Sequence, residues 1–313
     1  MNASLLLPIS MLACLLQGTI NKIYSGIWND HAVCRYIYTL STGLISAIIL
    51  LAWGGIGHVS SFTLLLGLLF GIVTALQSVF LLQALELGSY AYTVVFTSLS
   101  MLIPTLSGCI FWGETIETQQ VLGILFVIIC LILSVERLDK KAGISLRWLM
   151  SSGGAFICGG MIGVLQKIHQ SSSYQEELNP FLVSAFLFSS IVSAVACGIS
   201  VKRRGRFIPD KKTIFPILAL LLIAGACIAV NNKLNLYLSG VMNSALFFPL
   251  VNGGHIVLTT LAAVVIFRGF PVLCQKAEYL LCESRLSVLV GIRSSGRSDR
   301  KSPPDGNYQK TAV

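Results

Sequence analysis

Nine apolar stretches, each long enough to cross a bilayer as a helix, dominate the chain of 313 residues. Crossing the hydrocarbon core takes roughly 20 predominantly apolar residues. The stretches run 3–20, 36–57, 62–83, 88–111, 118–135, 148–168, 180–200, 213–232 and 239–267. None shows the period-two alternation of a barrel strand, and backbone polar groups must find partners inside lipid, so helices are expected. Charged residues make up 11% of the chain and hydrophobic residues 55%, with a mean hydropathy of +0.80. A soluble domain carries about 25% charge. The composition excludes an ordinary cytosolic domain, a disordered protein and a nucleic-acid binder. It predicts an all-α, polytopic membrane helix bundle.

The net charge of +9 sits in short basic runs between the apolar stretches. Connections after odd-numbered helices carry Lys22, Arg35, Arg137, Lys140, Lys141, Arg147, Lys202, Arg203, Arg204, Arg206, Lys211 and Lys212; those after even-numbered helices carry little beyond Lys167 and Lys233. The positive-inside rule then places the odd connections in the cytoplasm and the N-terminus outside. The first stretch has no basic n-region and no convincing cleavage site, so it reads as a retained helix, with the plasma (inner) membrane as the expected location. The nine cysteines show neither metal-ligand nor disulfide spacing.

Internal similarity organises the chain further. GTINKI (18–23) matches GVLQKI (163–168) at an offset of 145. GIVTALQ (71–77) matches GACIAVN (225–231) at 154, and residues 94–114 match 249–269 at 155. Two runs of five helices, an odd number each, have opposite topology. Such inverted repeats place a site near the membrane midplane, between the halves. The expected halves are 1–135 and 148–293, followed by a polar, disordered tail at 294–313. Gly67-xxx-Gly71 and Gly159-xxx-Gly163 have the spacing for close helix approach, and Pro104 and Pro249 predict kinks.

These residues resemble the drug/metabolite transporter superfamily, EamA-type. The resemblance is carried by Asn21-Lys22, by ALELGSYAYTVVFTSLSMLIP (84–104), and by Phe111-Trp112-Gly113-Glu114 with Gln120 and Gly123. NGGHIVLTTLAAVVIF (252–267) is similar to the last-but-one helix of small multidrug resistance proteins. The resemblance spans about 1–268. It implies a ten-helix basket with a central cavity and secondary transport of small metabolites, without fixing the solute.

The end of the chain departs from that pattern. Gly269 stands where the offset of 155 calls for an acid to match Glu114, and the tenth helix expected at 271–293 holds Lys276, Glu278, Glu283 and Arg285. A charge at mid-membrane costs roughly 2.5–3.5 kcal/mol on insertion scales, against about 0.3–0.6 gained per Leu, Ile or Val. The sequence therefore counts nine clear crossings and an atypical tenth. Either the C-terminal part is divergent and interfacial, or the reading frame shifts near 268. Nine crossings would keep the basic tail inside.

Polar side chains inside the spans are the candidate solute ligands. Gln17, Asn21 and Lys22 on helix 1 pair with Gln166 and Lys167 on helix 6; Gln77 and Gln83 on helix 3 pair with Asn231, Asn232 and Lys233 on helix 8. Asn252 and His255 form a polar notch with Gly253 and Gly254. Lys22 and Lys167 equally suit snorkelling at the interface, and the amides equally suit bonding between helices. The sequence assigns solute binding to Gln17, Asn21, Lys22, Gln77, Gln166, Lys167, Asn231, Asn232 and Asn252. Glu86 and Glu114 sit at helix ends, and no acid lies mid-span in helices 1–9. A small-multidrug-type cation/proton antiporter, which relies on a Glu in its first helix, is disfavoured.

The expected function is a secondary transporter of a small polar metabolite, not an enzyme, with no cofactor or metal. A lipid enzyme would need clustered acids or histidines near one interface. The alternative is a non-transporting scaffold or an inactive product lacking a sound tenth helix. The expected partners are the solute and the lipid bilayer, with homo-oligomerisation open and no nucleic acid.

Overall fold

The computed structural model describes residues 3–27, 32–88, 90–114, 145–204, 211–244 and 246–255, with 125 and 258. The chain divides into two compact units, Met1–Thr259 and Thr260–Val313. Every described residue lies in the first. The fifth expected helix (118–135, apart from Leu125), the tenth (271–293) and the tail fall outside the described residues.

Within the first unit the described residues form helices: α1 (Ala3–Ile27), α2 (Ala32–Gly54), α3 (Ser61–Leu87), α4 (Tyr90–Ser98), a 3-10 turn (Leu99–Met101), α5 (Leu102–Trp112), α6 (Leu146–Gln170), α7 (Leu178–Arg204) and α8 (Lys211–Val241). A further helical segment covers 246–255. Of these, α1, α2, α3, α6, α7 and α8 are long and apolar enough to cross a membrane.

The exterior of the bundle is apolar, unlike that of a soluble protein, and polar side chains are buried beside the apolar core. Phe215, Phe111, Ile110 and Leu146 face outward, while Ser46, Thr63, Ser152, Asn21 and Gln166 are buried. Water would penalise so broad an apolar exterior; lipid does not. The chain is an integral membrane protein made of helices.

Helix α7 packs against α2 and α3, α3 packs against α6, and both α1 and α2 pack against α8. Small residues permit these approaches. A Cβ on Gly71 would meet the Ala185 carbonyl oxygen at 2.5 Å and Phe188 Cβ at 2.8 Å, so α3 lies directly on the α7 backbone. Gly163 lets α6 rest against Pro104 and Phe248. The main core combines Leu50, Phe70, Phe181, Leu182 and Phe186 with Leu236.

Helix ends follow local chemistry. Ser60 caps α3 by accepting a bond from Thr63 N at 3.2 Å, and Ser145 caps α6 through Trp148 N at 3.1 Å. Gly113 ends α5 at φ 63°, in the left-handed region glycine enters without strain, and Glu114 N bonds back to Gly108 O at 3.2 Å. Asn179, at the start of α7, donates to Leu50 O at 2.9 Å and Gly55 O at 2.6 Å, closing the C-terminus of α2.

Three boundaries differ from the sequence reading. Helix α1 continues to Ile27 rather than 20, because Asn21 is met by Tyr38 OH and Ser25 Oγ bonds to Lys22 O at 2.9 Å. Helix α8 continues to Val241 rather than 232, and takes the first residues assigned to the ninth stretch. The kink expected at Pro104 falls earlier: the helix breaks at Leu99–Met101, and Pro104 occupies the first turn of α5, where its missing N–H costs little.

Candidate functional site

Polar stripes on otherwise apolar helices meet in one cavity of about 270 Å³. Helix α3 contributes Thr74, Gln77 and Ser78, spaced to share a face, and α8 contributes Asn231, Asn232 and Asn235 in the same way. Gln17 and Asn21 come from α1, Thr39 and Thr42 from α2, Gln166 from α6 and Ser189 from α7. Thr97, Ser98 and Ser100 line the cavity beside the 3-10 turn, and Asn252 and His255 come from 246–255.

Seven of the nine residues singled out by sequence thus converge: Gln17, Asn21, Gln77, Gln166, Asn231, Asn232 and Asn252. Sequence reasoning missed Asn235 and the ring of hydroxyls. Their signal was the recurrence of Thr and Ser at three- and four-residue spacing, easily passed over because hydroxyls are common in membrane helices as backbone bonders.

The amides divide by what already holds them. Asn21 accepts a bond from Tyr38 OH. Ser10 Oγ on α1 lies 2.9 Å from Asn231 Oδ1 and 2.6 Å from Asn235 Oδ1, and Asn235 Nδ2 donates to Asn231 at 3.2 Å, stitching α1 to α8. Asn232 and Asn252 donate back to Ile228 O (3.0 Å) and Phe248 O (2.9 Å) of their own helices. Gln17, Gln77 and Gln166 line the cavity with no hydrogen-bond partner among the described residues, and Thr74 Oγ1 is likewise unpartnered.

Neither lysine lies on the cavity wall. Lys22 is exposed, and its Nζ reaches Leu85 O at 3.5 Å. Lys167 is buried; its Nζ lies 2.7 Å from Glu114 Oε1 and 3.2 Å from Ser239 O. Gln83 and Lys233 also stand off the wall: Lys233 bonds Asn179 Oδ1 at 3.3 Å and sits 4.2 Å above the Trp53 ring.

Charged clusters occupy the two ends of the bundle. Arg35 pairs with Glu86 where α2 begins and α3 finishes. At the other end, partial burial raises the Glu114 carboxyl, but bonds from Lys167 and from Ser244 (its N–H at 2.9 Å) outweigh this and hold it below the usual range. On the same side, Glu177 Oε2 accepts from Ser60 N at 2.9 Å and Ser60 Oγ at 2.8 Å.

No protein-family model matches the chain, and no curated protein matches it. Solved structures do. One, described only as the crystal structure of a protein, superposes with a TM-score of 0.63 at 16% identity, covering 86% of this chain and 89% of that one. The likeness shows that the fold recurs in a solved structure.

Proposed function

We propose that the chain is a secondary transporter, built from two five-helix halves of opposite topology, that moves a small polar metabolite by alternating access between them. One observation carries this reading: residues separated by the repeat offsets line the same cavity. At 145 these are Cys14 and Gly159, Gly18 and Gly163, Asn21 and Gln166; at 154, Gln77 and Asn231, Ser78 and Asn232; at 155, Thr97 and Asn252. A pseudo-two-fold axis through the cavity accounts for such pairing, and inverted repeats bind their substrate at that place.

Helix contacts support the same symmetry. The packing of α1 on α8 has its counterpart in α6 on α3, and that of α2 on α8 in α7 on α3. Gly71 abuts Ala185 and Phe188 of α7, while Gly225 abuts Thr42 and Ile45 of α2. Both pairs differ by 143 residues. The resemblance to the EamA-type drug/metabolite transporters agrees with this architecture, as does an inner-membrane location with the odd connections in the cytoplasm.

Vesicles holding the full chain, preloaded with a metabolite mixture, test the proposal. The chain should release at least one solute faster than empty vesicles do, and Asn21→Ala and Gln166→Ala should each slow release at least tenfold. The charges at Lys276, Glu278, Glu283 and Arg285 favour the second reading, a non-transporting scaffold or inactive product. Vesicles that release nothing beyond the empty control would establish it.

A further inference from the structure

We propose that the cavity takes a neutral solute bearing several hydroxyl or carboxamide groups, of roughly monosaccharide or hexitol size. This deepens the transporter reading and rests on it.

The wall sets amides and hydroxyls among apolar side chains such as Phe186, Phe247 and Phe248, and carries no Asp, Glu, Lys or Arg among the described residues. Its free capacity is held by Gln17, Gln77 and Gln166 and by the Thr74 hydroxyl. A carboxamide offers two donors and an acceptor, and a hydroxyl offers one donor and accepts as well. A carboxylate or phosphate only accepts, and an ammonium only donates, so the first leaves the amide carbonyls unsatisfied and the second the amide N–H groups. Hydroxyls and carboxamides on a solute do both.

Charge balance points the same way. The His255 imidazole is the one basic side chain on the wall among the described residues. Four lysines and arginines off the wall are held elsewhere: Lys22 by Leu85 O, Lys167 by Glu114 and Ser239 O, Arg35 by Glu86, and Lys233 by Asn179 and the Trp53 ring. A cation would meet no carboxylate on the wall among the described residues, and an anion would meet only the His255 imidazole, which balances it only after taking up a proton; burying an unpaired charge is strongly unfavourable. A site with waiting polar groups also rejects apolar analogues, which leave those groups unpaired. The volume of about 270 Å³ falls just short of the roughly 300–1,000 Å³ typical of drug-sized ligands.

Binding to the purified full chain, and uptake into vesicles containing it, are measured for hexoses, hexitols and gluconamide. Gluconate, glucose 6-phosphate and glucamine serve as charged counterparts of the same carbon skeleton. At least one neutral member should bind ten times more tightly than every charged counterpart. Gln77→Leu and Gln166→Leu should each weaken it at least tenfold; if one of these fails to fold, the other decides. Uptake of a charged member with no binding of any neutral one overturns the solute class and leaves the transporter reading standing. Binding of a neutral member that never crosses the vesicle membrane upholds the class and defeats the transporter reading. No binding by any neutral member overturns the class.

Discussion

Lys22 and Lys167 make equivalent contacts at opposite ends of the bundle. Lys22 Nζ reaches Leu85 O at 3.5 Å near the end of α3, and Lys167 Nζ reaches Ser239 O at 3.2 Å near the end of α8. The lysines are 145 residues apart and the carbonyls 154, the offsets at which helices 1 and 6, and 3 and 8, align. Equivalence of position is not equivalence of environment: Lys22 is exposed, whereas Lys167 is buried and has gained an acid, Glu114, at 2.7 Å.

That difference gives opposite outcomes for one substitution. Removing one partner of a buried ion pair costs roughly 3–5 kcal/mol, and residual exposure of Glu114 reduces this. Lys167→Met should destabilise the protein by about 2–4 kcal/mol, and Lys22→Met by no more than about 0.5 kcal/mol, as for an exposed charge. Lys167→Met with Glu114→Gln should cost less than the sum of the two single changes by about 1 kcal/mol or more. Reversible unfolding in detergent micelles measures all four variants.

Glu177 ties the α6–α7 connection to the start of α3. A bond from the Thr63 hydroxyl does most to lower its carboxyl, to about 2, with Ser60 N–H adding to it; partial burial opposes, and the Ser60 hydroxyl and His58 contribute less. An unfolded Glu titrates near 4.3. The folded value lies below the unfolded one, so the stabilisation is complete above about pH 5 and is lost as pH falls toward 2. Wild type should therefore melt above Glu177→Gln at pH 6, and the gap should close as the pH approaches 2. Thermal midpoints in detergent across that range check it.

How far this was legible in sequence depended on how each residue is satisfied. Apolar length alone marks α2, α3, α6 and α7, because their charged residues lie only near the ends. It fails at Asn21-Lys22 and at Asn231–Asn235, which read as helix ends and lie inside helices. Their partners, Tyr38 and Ser10, sit on other helices, and no local rule reveals a bond made across the bundle. The sequence match of GTINKI with GVLQKI set Gln166 against Asn21, yet it also carried Lys167 into the proposed site. Whether a lysine turns to a cavity or to a carbonyl depends on packing one residue further round the helix.

Glycine positions differ in what stands against them. A Cβ on Gly71 would meet backbone, Ala185 O at 2.5 Å and Ser189 N at 2.9 Å; at Gly225 it would meet the Ile45 side chain, with Cβ at 2.7 Å; at Gly153 it would meet nothing within 4 Å. Backbone yields less than side chain, and overpacking costs typically 1–3 kcal/mol. Gly71→Ala should cost about 2–3 kcal/mol, Gly225→Ala about 1–2 kcal/mol, and Gly153→Ala should stabilise by up to about 1 kcal/mol through helix propensity. The same unfolding measurement ranks the three.

The amides of the cavity should separate into two groups when stability and binding are measured together. Asn231 is within bonding distance of Ser10 and Asn235, so Asn231→Ala strips partners from buried groups. A lost buried bond that leaves its partner unsatisfied costs about 1–3 kcal/mol. Gln17 and Gln77 face the cavity without partners among the described residues, so truncating either should change stability by no more than about 0.5 kcal/mol. Solute binding should respond in the reverse order, weakening at least tenfold for Gln77→Ala while that variant melts like wild type. Asn21→Ala falls between, because it removes the acceptor of Tyr38 as well as a wall amide. Tyr38→Phe isolates the first effect: it should reproduce the stability loss of Asn21→Ala and spare most of the binding. Equal binding losses for Tyr38→Phe and Asn21→Ala would assign Asn21 to holding α1 against α2 rather than to the solute.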